Sequence, residues 1–292
     1  MILLLPPSEG KDFSPSKKAP LDLASLSFPQ LNESRAKLIA SLQALGADEQ
    51  AAQILKVGPA KQAELEFHQQ LLTAGAKAAT SVYSGVLYDA ANWAQWQVSA
   101  KNNQDLTVLV TSALWGLVSP NDQILPYRLP GNATLPALGK VSTYWRPELQ
   151  TALAPLVSNQ LVVDCRSGAY QAMWPATASN AKKANCQIIP IRVVSVQNGK
   201  EKVVSHHAKH ARGELAGLLA QAAGWLSSAT AVAKSQQLEG TISDIKTVEQ
   251  LLGWVKNAAT SPEISFSDAR LEDPSLGSDQ PGVCTLTLMI KD

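Results

Sequence analysis

Four short polar clusters in this 292-residue chain carry side chains that can hold or transform anions. Ser8, Glu9 and Lys11 follow an apolar run at 2–5. Ser112, then Tyr127 and Arg128, follow a second run in "TVLVTSALWGLVSPNDQILPYRLPG". Asp164, Arg166, Ser167 and Tyr170 follow a third in "LVVDCRSGAY". Lys209 and Arg212 lie in "SHHAKHARGE", three residues apart and so on one helical face. Arginine offers a planar fork of donors and lysine a mobile point charge. Lys11, Arg128, Arg166, Lys209 and Arg212, joined by Ser8 and Tyr127, therefore form a set suited to phosphate. Glu9, Lys11, Tyr127 and Asp164 are the candidate catalytic groups. Glu9 or Asp164 would act as a general base wherever it lies within hydrogen-bond reach of the reacting proton. Each cation also has an ordinary explanation. Lys11 alone reads as a solvated loop lysine, and Arg128 or Arg166 alone as half of an ion pair with Asp122 or Asp164.

Several familiar chemistries are disfavoured. Asp12 follows Lys11, so the phosphate-loop frame G-x-x-x-x-G-K-[ST] is absent. No G-x-S-x-G elbow surrounds Ser8 or Ser112. His206 and His210 have the spacing of helical metal ligands, but Lys209 stands beside them and no glutamate lies between. They remain weak metal candidates, with His207 and Glu214 as the nearest possible additions. No cofactor is expected. Cys165 follows a strand beside Arg166, which would favour a reactive thiolate, although a buried thiol is the commoner outcome. Trp115 is expected to pack, with base stacking as the alternative. "LKVGPAKQA" at 55–63 is similar to a helix-hairpin-helix turn that presents amides to a DNA phosphate. An ordinary helix–helix turn fits it equally, and Pro59 removes one amide.

The elements that must position these groups are legible in outline. The continuous apolar run at 2–5 and the segments "DLTVLVTSALWGLVSP" and "QLVVDCRSGAYQAMW" predict buried strands ending at the polar clusters. Asn198-Gly199 predicts a hairpin turn, and "CTLTLMI" a last strand. Helical spacing predicts a helix opened by Asn32 and closed by Gly46, two helices about Gly58-Pro59, and a long helix from about Ala208 to Trp225. Residues 12–30 read as a surface connection and 261–282 as a loop-rich excursion. These elements predict an α+β protein: one large domain over 1–292, a mixed sheet flanked by helices, a central basic cleft and a helix-hairpin-helix-like element near 50–70. The net charge is +1, so a polyanion-binding surface requires the positive charge to be gathered in one place. Three cysteines without a CxxC pair suggest a reducing compartment. The apolar start is too short for a signal peptide, and no run approaches a membrane span. The expected location is the cytoplasm, with no membrane and no evident protein partner.

"LLPPSEGKD", "YSGVLYD", "TSALWGLVSPNDQILPYRLPG", "VVDCRSGAY" and "SHHAKHARGELA", in this order, resemble the YaaA family of peroxide stress proteins. The resemblance implies a cytoplasmic bacterial protein that limits peroxide damage by keeping free iron low. It also implies a positively charged cleft, a helix-hairpin-helix-like element and affinity for DNA. Carried over by motif, the cleft positions are Lys11, Tyr127, Arg128, Asp164, Arg166, Lys209 and Arg212. The expected function is a stress protein that binds DNA in a localised basic cleft. The alternative from the residues themselves is an enzyme acting on a nucleotide, nucleobase or other phosphorylated small molecule.

Overall fold

The apolar run at the N-terminus has no polar face to offer water, so it is paired on both sides. The computed structural model describes residues 1–97, 105–197, 200–203, 205–226, 241–272 and 281–290. The strands are β1 (Ile2–Leu5), β2 (Lys77–Ala78), β3 (Thr107–Ser112), β4 (Gly116–Val118), β5 (Gln123–Ile124), β6 (Thr134–Leu135) and β7 (Gly139–Lys140). They continue with β8 (Leu161–Asp164), β9 (Gln187–Gln197), β10 (Lys200–Val203), β11 (Phe266–Glu272), β12 (Gly282–Val283) and β13 (Thr285–Ile290). Nine of them form one mixed sheet ordered β11-β13-β9-β8-β1-β3-β4, with β10 and β12 also pairing with β9. The central strands β3, β1, β8 and β9 are parallel, which explains their unbroken apolar character.

The path of the chain through this sheet decides where a ligand fits. From β1 the chain crosses to β3 on one side, and later returns to β8 on the other. Strand order therefore reverses at β1. In open α/β sheets such a reversal opens a crevice beyond the carboxyl ends of the strands. Those ends carry Ser8, Glu9 and Lys11 after β1, Ser112 closing β3, and Asp164 closing β8.

The helices are α1 (Asn32–Leu45), α2 (Glu49–Leu55), α3 (Ala63–Glu66), α4 (Ala79–Val82), α5 (Val86–Ala90), α6 (Val141–Val157), α7 (Gly168–Gln171), α8 (Ala178–Ala184), α9 (Ser205–Ala222) and α10 (Val248–Ala259). Gly46 closes α1 at φ 74°, as the sequence suggests. Asn32 begins α1 but does not cap it; its Oδ1 accepts from Arg35 Nη1 at 2.7 Å. Arg35 is fully buried and donates to the carbonyls of Ser27, Phe28, Trp115 and Leu117, tying α1 to the β3–β4 turn. Trp115 has no exposed surface, so it packs rather than stacks on a base.

Three local expectations change. The region near 50–70 holds the seven-residue α2, a 3-10 turn at Pro59–Lys61 and the single-turn α3, where two full helices were expected. The stretch 261–282, expected to be loop, contains β11, paired antiparallel with β13 at the sheet edge. A bulge between Phe266 and Asp268, with charges at Asp268, Arg270 and Glu272, hides the strand from a periodicity test. The long helix begins at Ser205, ahead of Ala208. Asn198 and Gly199 lie outside the described residues, but β9 and β10 pair antiparallel as the hairpin requires. Among the described residues no helix is long and apolar enough to cross a membrane.

Gly213 lets α9 lie directly on α5, since a Cβ there would overlap the Leu87 carbonyl oxygen. Gly213→Ala is expected to destabilise the fold by about 1–3 kcal/mol in urea unfolding, because backbone cannot yield as a side-chain tip can. An unchanged midpoint would contradict this packing.

Candidate anion-binding site at the strand ends

Pro6 and Pro7 end β1, and the chain turns through Ser8–Gly10 to Lys11. This turn is pinned to the segment after α4. Lys11 bridges Tyr83, Asp12 N–H donates to the Val82 carbonyl at 2.9 Å, and Ser84 N–H donates to Ser8 Oγ at 3.2 Å. Tyr88 Oη donates to the Pro6 carbonyl at 2.6 Å. The "YSGVLYD" segment is thus the clamp that positions "PPSEGKD". Gly85, at φ 100°, makes the bend that starts α5 within it.

The clamp places the Lys11 ammonium among aromatic rings. Nζ lies 4.5 Å from the Tyr127 ring centroid and 5.8 Å from that of Tyr83, and donates to the Ser8 carbonyl at 2.5 Å. The residue is half-buried. Desolvation, with Arg128 nearby, pulls the Lys11 pKa down to about 7, opposed by Glu9 and Glu64. Beneath it, Ser112 Oγ and Tyr127 Oη share a 2.6 Å hydrogen bond, both fully buried. Tyr83 Oη is buried beside both of them. Burial raises all three nearby phenols, Tyr83, Tyr127 and Tyr170, above the ordinary tyrosine range.

Cations gather around Glu9. Arg128 Nη1 donates to the Glu9 carbonyl, and Lys209 Nζ lies 3.5 Å from the Glu9 carboxylate. The Arg128 guanidinium also pairs with Glu64 and covers the Phe13 ring at 5.2 Å. Its backbone N–H donates to His68 Nε2 at 3.0 Å. Burial and the adjacent Arg128 lower the His68 pKa to about 4, so the imidazole stays neutral and keeps accepting. The Tyr170 ring, on α7, lies beside Gly131. Ser8, Glu9, Lys11, Tyr127, Arg128 and Lys209 are therefore brought together.

Other expected members are close by but already committed. Arg166 is fully buried and bidentate on Asp164, with both bonds 2.8 Å, and also donates to the Trp174 and Tyr170 carbonyls. It braces the end of β8, and its guanidinium holds Asp164 in a closed pair that leaves no free carboxylate for proton transfer. Arg212 donates twice to the Ile191 carbonyl, at 3.1 and 2.7 Å. Ser167 is exposed ahead of α7. The Glu214 carboxylate accepts from Ser265 N–H, which leaves it spoken for beside His210 Nδ1 at 3.7 Å. Among the described residues no group of three or more His, Cys, Asp or Glu could hold a metal; the His206 side chain is outside them. Cys165 is buried, and desolvation pushes its thiol up to about 12, away from thiolate chemistry.

Sequence reasoning missed Tyr83, Tyr88, Glu64 and His68. The first two stand in "YSGVLYD", a motif visible in the sequence but with no chemistry in its spacing. Glu64 and His68 show no pattern, because they meet Arg128 only through the fold.

Fold and candidate site together describe a mixed α/β protein whose strand order reverses at β1. The comparisons place it more closely. A family profile described as peroxide stress protein YaaA matches residues 1–234, and the chain belongs to that family. It is 37% identical over 217 residues to a UPF0246 protein of Streptomyces coelicolor, covering 74% of this chain and 81% of that one. It is 39% identical over 225 residues to one of Corynebacterium glutamicum, covering 75% and 85%. Over 260 residues it is 37% identical to one from strain R of the same species, covering 87% and 94%.

The Lys11 shift carries a signed consequence for stability. Below about pH 7 Lys11 is charged in folded and unfolded chains, and the cost of enclosing the charge is present in full. Between about 7 and the ordinary value of 10.5 the folded state loses its proton first, so stability rises with pH. Lys11→Met is therefore expected to raise the melting temperature most at pH 6, with the gain shrinking toward pH 10. A gain independent of pH would contradict the desolvation.

Proposed function

We propose that the protein serves in peroxide stress by binding a phosphorylated ligand of the nucleotide class at the strand ends. One observation carries this reading: Lys11, Arg128 and Lys209, from three distant stretches, meet at Glu9 above a buried hydroxyl cluster. Phosphate needs the cations. The hydroxyls of Ser112, Tyr127 and Tyr83 exceed what a phosphate clamp requires and suit a small polar group entering behind it. In this reading Ser8 borders the phosphate, while Arg166 and Arg212 act indirectly by bracing β8 and β9.

DNA is the second reading, and one observation favours it. Lys61, on the 3-10 turn at Pro59–Lys61, lowers the Lys11 pKa through its charge. In this reading that turn and the strand-end site meet the same strand. The two readings share a single anchoring chemistry. Limitation of iron-dependent damage follows indirectly in both, through the bound nucleotide or nucleic acid. A cytoplasmic setting fits the three buried cysteine thiols.

Thermal-shift titration with nucleoside mono-, di- and triphosphates tests the first reading. A rise in melting temperature at millimolar ligand supports it, and Lys209→Ala is expected to weaken binding about threefold, as an exposed charge contact should. No rise with any nucleotide would overturn it. Fluorescence anisotropy with single-stranded and duplex DNA at several salt concentrations tests the second. Affinity should fall with a slope of about 0.7–0.9 per neutralised phosphate. Binding that ignores salt would sink it.

A further inference from the structure

The site contains an amine in a setting that phosphate binding does not require. A lysine that only anchors phosphate works best fully charged and mobile. Lys11 is neither. Its Nζ is held against the Ser8 carbonyl and enclosed by the Tyr83 and Tyr127 rings. The two nearby carboxylates that would keep it protonated are taken by other cations, Glu64 by Arg128 and Glu9 by Lys209. Below it, the buried hydroxyls of Tyr83, Ser112 and Tyr127 lie together.

We propose that Lys11 is a nucleophilic amine that captures an aldehydic sugar phosphate as an imine, with Arg128 and Lys209 holding the phosphate. The phosphate part rests on the reading above; the amine part stands on the Lys11 enclosure by itself. The neutral Nζ lone pair attacks the carbonyl carbon and forms the C–N bond, while the carbonyl oxygen becomes a hydroxyl. One amine proton moves to that oxygen to make the hydroxyl, which then leaves as water with the second amine proton, giving C=N. No oxidant or reductant is needed. The hydroxyls of Tyr83, Ser112 and Tyr127 are placed to bond the oxygen as it becomes hydroxyl and then water. With a pKa of about 7, half of Lys11 is neutral at that pH, on the order of a thousandfold more than for a solvent-exposed lysine. The shared ligand chemistry, an aldehyde beside a phosphate, has two sources: a free sugar phosphate, or the ring-opened deoxyribose of an abasic site in DNA.

Borohydride trapping tests this with the wild-type full chain at pH 7. Three probes are used in parallel: ribose 5-phosphate, ribose, and a labelled oligonucleotide containing an abasic site. Borohydride reduces the imine to a stable secondary amine, and peptide mass mapping locates it. The expected result is one adduct, on Lys11, formed at least tenfold faster than on any other lysine and with a rate midpoint near pH 7. A ribose 5-phosphate adduct with no oligonucleotide adduct assigns the free sugar phosphate; the reverse assigns the DNA lesion. Equal trapping of ribose and ribose 5-phosphate on Lys11 would leave the amine standing and remove the phosphate role. Adducts spread over surface lysines, or no adduct on Lys11 with any probe, would overturn the proposal. Lys11→Arg should abolish the adduct. Lys209→Ala, an exposed change, should slow trapping of ribose 5-phosphate more than that of ribose. This second variant and the wild-type map remain decisive if Lys11→Arg fails to fold.

Discussion

A positive charge enclosed by aromatic rings at the end of the central strand is the constraint around which this molecule is arranged. Water is the cheapest partner for an ammonium group, and removing it is costly unless something replaces it. Here the replacement is partial: one carbonyl and two ring faces. The price is met by a stiff surround. The buried β1 fixes the start of the turn, two prolines end the strand, and the Tyr83–Tyr88 segment bonds the turn at four points. Loosening any of these would let the ammonium reach solvent and regain an ordinary lysine pKa.

The arginines near the strand ends divide into two kinds. Arg35 and Arg166 are fully buried and satisfied by carbonyls or a single carboxylate, so they serve to hold loops in shape. Burying such groups adds little net stability but makes their removal expensive, because the partners would be left unpaired. Arg128 is the other kind. It stays at the rim, held by Glu64 on one side and fixed in place by a neutral His68 at its backbone. Its guanidinium thereby reaches the Glu9 carbonyl. Lys209 completes this arc from α9, a helix set close by the absent side chain of Gly213.

Much of this was legible in the sequence. Continuous apolar runs identified β1, β3 and β8, and their polar ends identified Ser8, Lys11, Ser112 and Asp164. Gly46 marked a helix end correctly. What failed did so for physical reasons. Phe266–Glu272 is an edge strand whose bulge and outward charges break the period-two signal. The second helix of the 50–70 region frays into 3-10 turns, a distinction that helical spacing does not resolve. Arg166 and Lys11 look alike in sequence, each a cation just past a strand. Only the fold separates them, by giving Arg166 the carboxylate of Asp164 two residues earlier and giving Lys11 none. His68 and Glu64 carry no local pattern at all, since their meaning arises from contact with a residue about sixty positions away.

The account depends on the protonation state of one amine, and that state can be read directly. Nuclear magnetic resonance of protein carrying 13C-labelled lysine, with the Lys11 Cε signal followed from pH 5 to 11, reports its titration without perturbing the site. An enclosed Lys11 titrates with a midpoint of about 7. A midpoint near the ordinary lysine value of 10.5 would mean that water reaches the ammonium freely, and the reactive-amine account would be wrong.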